Sequence, residues 1–173
     1  MLVVVIRGPM ASGKSTIAHA LAGRIGGVVV SIDRILEERG LEEWEEGRRP
    51  GTRHITERAF LRANDWVVDE ADRHRAEGRS SIIDGNFYWR SVLEDLLERI
   101  LVRREVFTLT LPLSVCVERN ARRVRPIGDA SDVQMVYDKV TEFEAGRPVD
   151  ASGTPEEVLS VILAQIDHGT RQA

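Results

Sequence analysis

Residues 8–16, Gly8-Pro9-Met10-Ala11-Ser12-Gly13-Lys14-Ser15-Thr16, constrain this chain more than any other stretch. They follow the pattern glycine, four residues, Gly-Lys-Ser/Thr, in which a glycine-rich backbone wraps phosphate oxygens. The flanks agree with the pattern. Leu2-Val3-Val4-Val5-Ile6 is apolar and β-branched, which predicts a buried parallel strand. Ile17, Leu21 and Ile25 recur at a spacing of four, which predicts a helix from Ile17 to Ile25. Strand, glycine loop and helix aim backbone N–H groups and a helix N-terminus at an anion. Lys14 would reach the β- and γ-phosphates of a nucleotide, and the Ser15 hydroxyl would ligate Mg²⁺. A chance Gly-rich turn is the alternative, and the agreement of pattern and context weighs against it.

Strand and helix patterns alternate along the rest of the chain, which predicts an α/β fold around a parallel sheet. A second strand is expected over 27–32, ending at Asp33, with a short helix over 34–39. The charged stretch 42–51 ends in Pro50-Gly51 and reads as an exposed loop. A helix should cover Ile55 to Ala76, closed by Gly78. A third buried strand covers Ser80 to Gly85, and Ser91 caps a helix to Val102. Glu105 to Leu111 is a fourth strand, stopped by Pro112. Helices over Ser114–Arg123 and Asp132–Glu144 flank a loop over Arg125–Ser131. Pro148-Val149-Asp150 is a fifth strand, and Thr154-Pro155-Glu156-Glu157 opens a last helix to about Asp167.

At 173 residues, without repeat or linker, the chain is expected to form one domain over 1–173. No apolar run approaches a membrane span, and Leu2–Ile6 is too short for a signal-peptide core, so a cytoplasmic protein without membrane association is expected. The single cysteine, Cys116, excludes an internal disulfide and reads as a small buried apolar residue. A net charge of −4 argues against strong non-specific nucleic-acid binding and leaves a local basic groove open. The basic residues are 22 arginines and two lysines, Lys14 and Lys139, so a lysine inside the glycine loop stands out.

Three further sites could carry chemistry. Asp84 ends a buried strand after Ile82-Ile83, which fits the position of a carboxylate that holds Mg²⁺ directly or through water; an ordinary aspartate turn before Gly85 is the alternative. Asp33 ends the second strand, where ligands bind in open α/β sheets, and could accept the proton of an attacking hydroxyl. It also suits an N-cap for the helix from Arg34. Arg119, Arg122, Arg123 and Arg125 cluster after the fourth strand. Arg119 and Arg123 are four apart, so they share a helix face and could meet a transferring phosphoryl group; a solvated basic helix is the alternative. His19, His54, His74 and His168 show no metal spacing and read as surface or edge residues. Asn86-Phe87-Tyr88-Trp89 reads equally as the wall of an acceptor pocket or as core.

These residues resemble the P-loop kinase family related to polynucleotide kinase, zeta toxin and chloramphenicol phosphotransferase. The resemblance spans about residues 1–165 and rests on Gly8–Thr16, on Asp33-Arg34, and on Arg119-Asn120-Ala121-Arg122-Arg123 followed by Pro126 and a helix with Val133, Met135 and Tyr137. It implies a P-loop nucleoside triphosphate hydrolase/kinase fold, a three-layer α/β sandwich with a five-stranded parallel sheet. It implies that Asp33 is the general base and that Arg119 and Arg123 contact ATP phosphates from a lid over about 119–131. The acceptor would bind an insert over about 34–64, whose acidic patch Glu42, Glu43, Glu45 and Glu46 matches no substrate signature.

The expected activity is ATP- and Mg²⁺-dependent phosphorylation of a hydroxyl on a small-molecule or nucleotide acceptor. One alternative is a polynucleotide 5′-hydroxyl kinase, favoured by the lid and disfavoured by the net charge and the acidic insert. Another is a nucleotide-dependent regulatory switch, weakened as a GTPase by the lack of an Asn-Lys-x-Asp motif. A degenerate nucleotide-binding module is disfavoured by intact Lys14, Ser15, Asp33 and Asp84.

Overall fold

The N-terminal apolar run becomes strand β1 (Val3–Arg7), buried at all of its positions. In the computed structural model, which describes residues 1–48 and 50–170, β1 is the centre of a five-stranded parallel sheet. Arg49 of the charged loop and the His168 side chain lie outside the described residues. After β1 come α1 (Lys14–Ile25), β2 (Val28–Ser31), α2 (Ile32–Glu38), β3 (Trp44–Glu46) and β4 (Arg53–Ile55). Then follow α3 (Glu57–Ala76), β5 (Ser81–Gly85), α4 (Arg90–Arg99), β6 (Arg104–Thr110), α5 (Leu113–Ala121), α6 (Ala130–Thr141), β7 (Arg147–Asp150) and α7 (Pro155–Thr170). The sheet order is β2-β5-β1-β6-β7, and β1 pairs with β5 from Val3↔Ser81 to Arg7↔Gly85. Chain order reverses beside β1, so the crevice at its carboxyl end is a topological switch point.

Side chains alternate across a strand, and β1 uses both faces. Val3 and Val5 join Ile35, Phe60, Val67, Leu93 and Val136 in a core under α2, α3, α4 and α6. Val4 and Ile6 join Ile17, Leu21, Val158 and Ile162 in a second core under α1 and α7. Each such side chain contributes roughly 1.5–3 kcal/mol on burial, which fixes the expected three-layer α/β sandwich. A third, small cluster of Leu111, Cys116 and Val133 lies between α5 and α6. Met10 packs against it and also against the first core, which ties this helix pair to the glycine loop. Cys116 is fully buried, as expected.

Several boundaries differ from the sequence reading. The stretch 42–51 is not a simple loop: β3 and β4 form an antiparallel hairpin with Trp44 opposite Ile55. The hairpin is held by the Tyr88 hydroxyl, which donates to the Ile55 carbonyl at 3.1 Å, and by Trp89 Nε1 to the same oxygen at 3.2 Å. Ser91 does not cap α4; its hydroxyl donates to Glu57, and Trp89 holds the N-cap position. That helix ends at Arg99 because Ile100, in extended backbone, turns into the core. Helix α6 starts early, at Ala130, through a capping box between Asp129 and Asp132. His54 and His74 are buried, not surface residues. His54 Nε2 pairs with Glu45 at 2.8 Å, and His74 Nδ1 hydrogen-bonds Ser81 Oγ at 3.1 Å.

Candidate active site

The glycine loop leaves β1 and turns into α1 through two left-handed residues, Ala11 at φ 60° and Gly13 at φ 96°. Gly13 is the N-cap and brings no side chain, and no acid occupies the first turn, so no side chain caps the opening amides of α1. Gly8 is required for a different reason. A Cβ there would stand 2.9 Å from Ser12 Oγ and 3.0 Å from the Leu109 carbonyl. Lys14 is 8% exposed and its Nζ donates to the Pro9 carbonyl at 2.9 Å, so the loop folds around its own lysine. Burial lowers the Lys14 pKa; Asp84 and Asp33 oppose that shift, and Arg123 adds to it. The four residues therefore share one electrostatic neighbourhood. Ser15 and Thr16 are exposed at the start of α1.

Asp84 lies in β5 in register with Ile6 and Ser31. It is 6% exposed, and its Oδ1 has no hydrogen-bond partner among the described residues. A buried carboxylate oxygen left without a donor is costly unless a ligand completes it. Among the described residues no group of three or more His, Cys, Asp or Glu is arranged to hold a metal ion. A single carboxylate oxygen here would suit Mg²⁺, which takes few protein oxygens and fills its shell with phosphate and water.

Asp33 is the second residue of α2 and not its N-cap. Ser31 is the cap, its hydroxyl accepting from the Arg34 N–H at 3.3 Å, because Ile32 is drawn into the core and starts the helix early. Asp33 opens onto a cavity of about 610 Å³ lined by Met10, Trp44, His54, Asn86, Tyr88 and Met135, among others. Solvent reaches the carboxylate through this cavity, yet the protein packed around it raises its pKa. Lys14 opposes that shift, while Asp84 and Glu42 add to it. Of the stretch 86–89, Asn86 and Tyr88 line the cavity, while Phe87 is core, as one of the two readings had it.

The arginines divide. Arg119 and Arg123 line a separate hollow of about 360 Å³ with Ala11, Ser12, Gly13 and Thr16, next to the glycine loop. They do not share a helix face, because α5 ends at Ala121 with Arg122 as its C-cap. The chain turn beyond the helix brings Arg123 back toward the loop, and Arg119 Nη2 reaches the Ser152 carbonyl at 3.4 Å. Arg122 is exposed and pairs with Glu118, and Arg125 is exposed. Sequence reasoning passed over Asn120, which is 3% exposed. Its Nδ2 donates to the Ile127 and Gly128 carbonyls at 3.3 Å each, and its Oδ1 accepts from the Ile127 N–H at 3.1 Å. Ile127 and Gly128 form part of the rim of the large cavity, so Asn120 sets that rim. The only hint in the sequence was an uncharged residue inside an arginine run.

Comparison with known proteins bears on the family and the fold. A family model described as an AAA domain matches residues 3–137. A tRNA dimethylallyltransferase of Parvibaculum lavamentivorans is 38% identical over 195 residues, covering 94% of this chain and 60% of its own length. The chain thus spans about three fifths of that relative. Among solved structures, a sugar kinase from Janibacter sp. superposes with a TM-score of 0.75 at 23% identity, covering 96% of this chain and 94% of its own. A gluconokinase from Sinorhizobium meliloti superposes with a TM-score of 0.74 at 18% identity, covering 98% and 93%. The fold is that of the P-loop kinases, as the sequence implied. With the family model spanning most of its length, the chain belongs to the AAA domain family.

Proposed function

We propose that this protein is an ATP- and Mg²⁺-dependent kinase that phosphorylates a hydroxyl of a small-molecule or nucleotide acceptor. The observation that carries this reading is the position of Asp33, between the Lys14–Asp84 neighbourhood and the 610 Å³ cavity. The glycine loop from Gly8 to Thr16 would hold the phosphates by its backbone amides, with Lys14 on the β- and γ-phosphates. Ser15 and Asp84 would hold Mg²⁺, which supplies neutralising charge on the phosphate oxygens. Asp33 orients the acceptor hydroxyl and takes its proton. Arg119 and Arg123 close over the transferring group from a lid at about 119–131. The acceptor segment is about 34–64 within one unit of 1–173.

The cavity also bears on the acceptor. Its charged lining is Asp33, Glu42 and Asp132 against Arg53, with an apolar wall from Met10, Phe60, Met135 and Val136. Such a surface favours an uncharged or cationic alcohol with an apolar body over a polyanion. A second reading, transfer to a nucleic-acid end or to tRNA, is favoured by the identity with the tRNA dimethylallyltransferase. An acceptor screen with γ-labelled ATP separates the readings, using nucleosides, oligonucleotides, sugars and amino alcohols. Labelled product from a small alcohol supports the first. Product from oligonucleotides alone, with steeply salt-dependent binding, supports the second. We also place the protein in the cytoplasm. No helix among the described residues is long and apolar enough to cross a membrane.

A further inference from the structure

We propose that Arg7 is a positioning residue whose guanidinium links the phosphate loop to helix α6 and to the segment after Asp84. This inference rests on the nucleotide-site reading above and assigns a role to a residue outside the loop motif.

Arg7 is the last residue of β1, immediately before Gly8. It is 0% exposed and ranks among the largest fully buried side chains. Its Nε donates to the Phe87 carbonyl at 3.0 Å and its Nη2 to the Val140 carbonyl at 2.6 Å. Its Nη1 lies 3.5 Å from Thr108 Oγ1, and its guanidinium carbon stands 4.1 Å from the centre of the Phe143 ring. All of these partners are neutral. Burial, with a smaller push from Arg90, lowers its pKa to about 10, so the group stays charged at neutral pH.

A buried charge without a counter-ion is expensive, and an apolar side chain would end the strand at lower cost. What the guanidinium adds is geometry, because its planar fork can address several fixed acceptors at once and an ammonium cannot. Phe87 lies between Asn86 and Tyr88, which line the large cavity, and it holds a left-handed backbone at φ 45°. Val140 lies one turn beyond Val136, on the helix that also gives Asp132 and Met135 to the cavity. The three walls that meet the reacting groups are thus fastened to one side chain. A shift of the phosphate loop on nucleotide binding passes through Arg7 to α6 and to residues 86–88.

The test is amide hydrogen exchange by mass spectrometry on the full chain, with and without Mg²⁺ and a non-hydrolysable ATP analogue, alongside calorimetric affinity. In the wild type, nucleotide should slow exchange in 8–16, in 86–89 and in 134–141. Arg7→Met should bind the analogue within about threefold of wild type and keep the slowing in 8–16, but lose most of it in 134–141. Arg7→Lys, which keeps the charge without the fork, should behave like Arg7→Met. Full slowing of α6 in Arg7→Met overturns the inference, as does a wild type that binds nucleotide with no response in α6. Failure of the wild type to bind nucleotide is a different result and removes the kinase reading itself. If Arg7→Met does not fold, Phe143→Leu removes the ring beside the guanidinium and should weaken the α6 response. An unchanged response there also overturns the inference.

Discussion

Replacing Asp33 by Asn tests the proposed chemistry at its centre. The substitution keeps the shape of the side chain and removes the charge that would accept the proton. Loss of a positioned base costs about 100- to 10,000-fold in turnover, or about 2.7–5.5 kcal/mol of barrier. Nucleotide affinity should not fall with it. Asp33 is a negative group acting on Lys14, beside the proposed site of a polyanion, so its removal should leave ATP affinity unchanged or tighten it by up to about 1 kcal/mol. Two pH effects follow from the raised Asp33 pKa. The base works only when ionised, so wild-type turnover should rise with pH on a limb displaced above the ordinary carboxyl range, and Asp33→Asn should lack that limb. Stability runs the other way. A carboxyl whose folded pKa is raised contributes below its unfolded pKa and loses that contribution as pH rises through the folded value. Ionised Asp33 is therefore a cost at neutral pH, and Asp33→Asn should melt at the same temperature as wild type or higher. The assay is ADP release against the best acceptor from the screen, with calorimetric ATP affinity and a thermal melt at pH 7. Unimpaired turnover, or a collapse of ATP affinity with turnover at saturation preserved, would refute the assignment of Asp33 as the base.

Lys14→Ala should abolish phosphoryl transfer in a folded protein, because Lys14 bears a burial penalty that its removal relieves; near wild-type turnover in a well-folded mutant would remove the nucleotide-site assignment. Arg123→Ala should lower turnover more than ATP affinity, since charge-assisted contacts strengthen as the transferring group develops its charge; full activity, with both Arg119 and Arg123 facing solvent in a ternary complex, would favour a plain surface turn. Asn120→Ala removes three hydrogen bonds to the 127–128 rim, and should cost about 1–3 kcal/mol in urea unfolding and raise the KM for the acceptor more than that for ATP.

The sequence exposed the parts of the fold in which local pattern and tertiary role coincide. The run Leu2–Ile6 is apolar because both faces of β1 are covered, and the glycine loop is explicit because its backbone tolerates few alternatives. The strand-end position of Asp84 was legible because the buried run Ile82-Ile83 predicts the strand that carries it. The hairpin was not legible. Trp44, Glu45 and Glu46 are all exposed and show no apolar alternation, and the hairpin is docked by its backbone onto Tyr88 and Trp89, more than thirty residues away. The start of α2 was misplaced because Ser31 and Asp33 are both good caps, and burial of Ile32 decides between them. Arg119 and Arg123 were paired for the wrong reason, since a turn and not a helical repeat brings both to the loop. Arg7 was hidden because it ends an apolar run and finds its acceptors on three distant segments.

Both lysines of the chain are buried, Lys14 at 8% exposure inside the glycine loop and Lys139 at 7% with its ammonium 3.5 Å from the centre of the Trp89 ring. Every other basic side chain on the described surface is arginine or histidine. Acylating reagents therefore find no exposed lysine side chain on the described surface until one of these two enclosures opens. Mass-spectrometric counting of acyl groups on the lysines thus becomes a chemical gauge of breathing at two defined places, one in the glycine loop and one against the Trp89 ring. Protection of Lys14 by nucleotide can be followed with no acceptor present and without any knowledge of what the acceptor is.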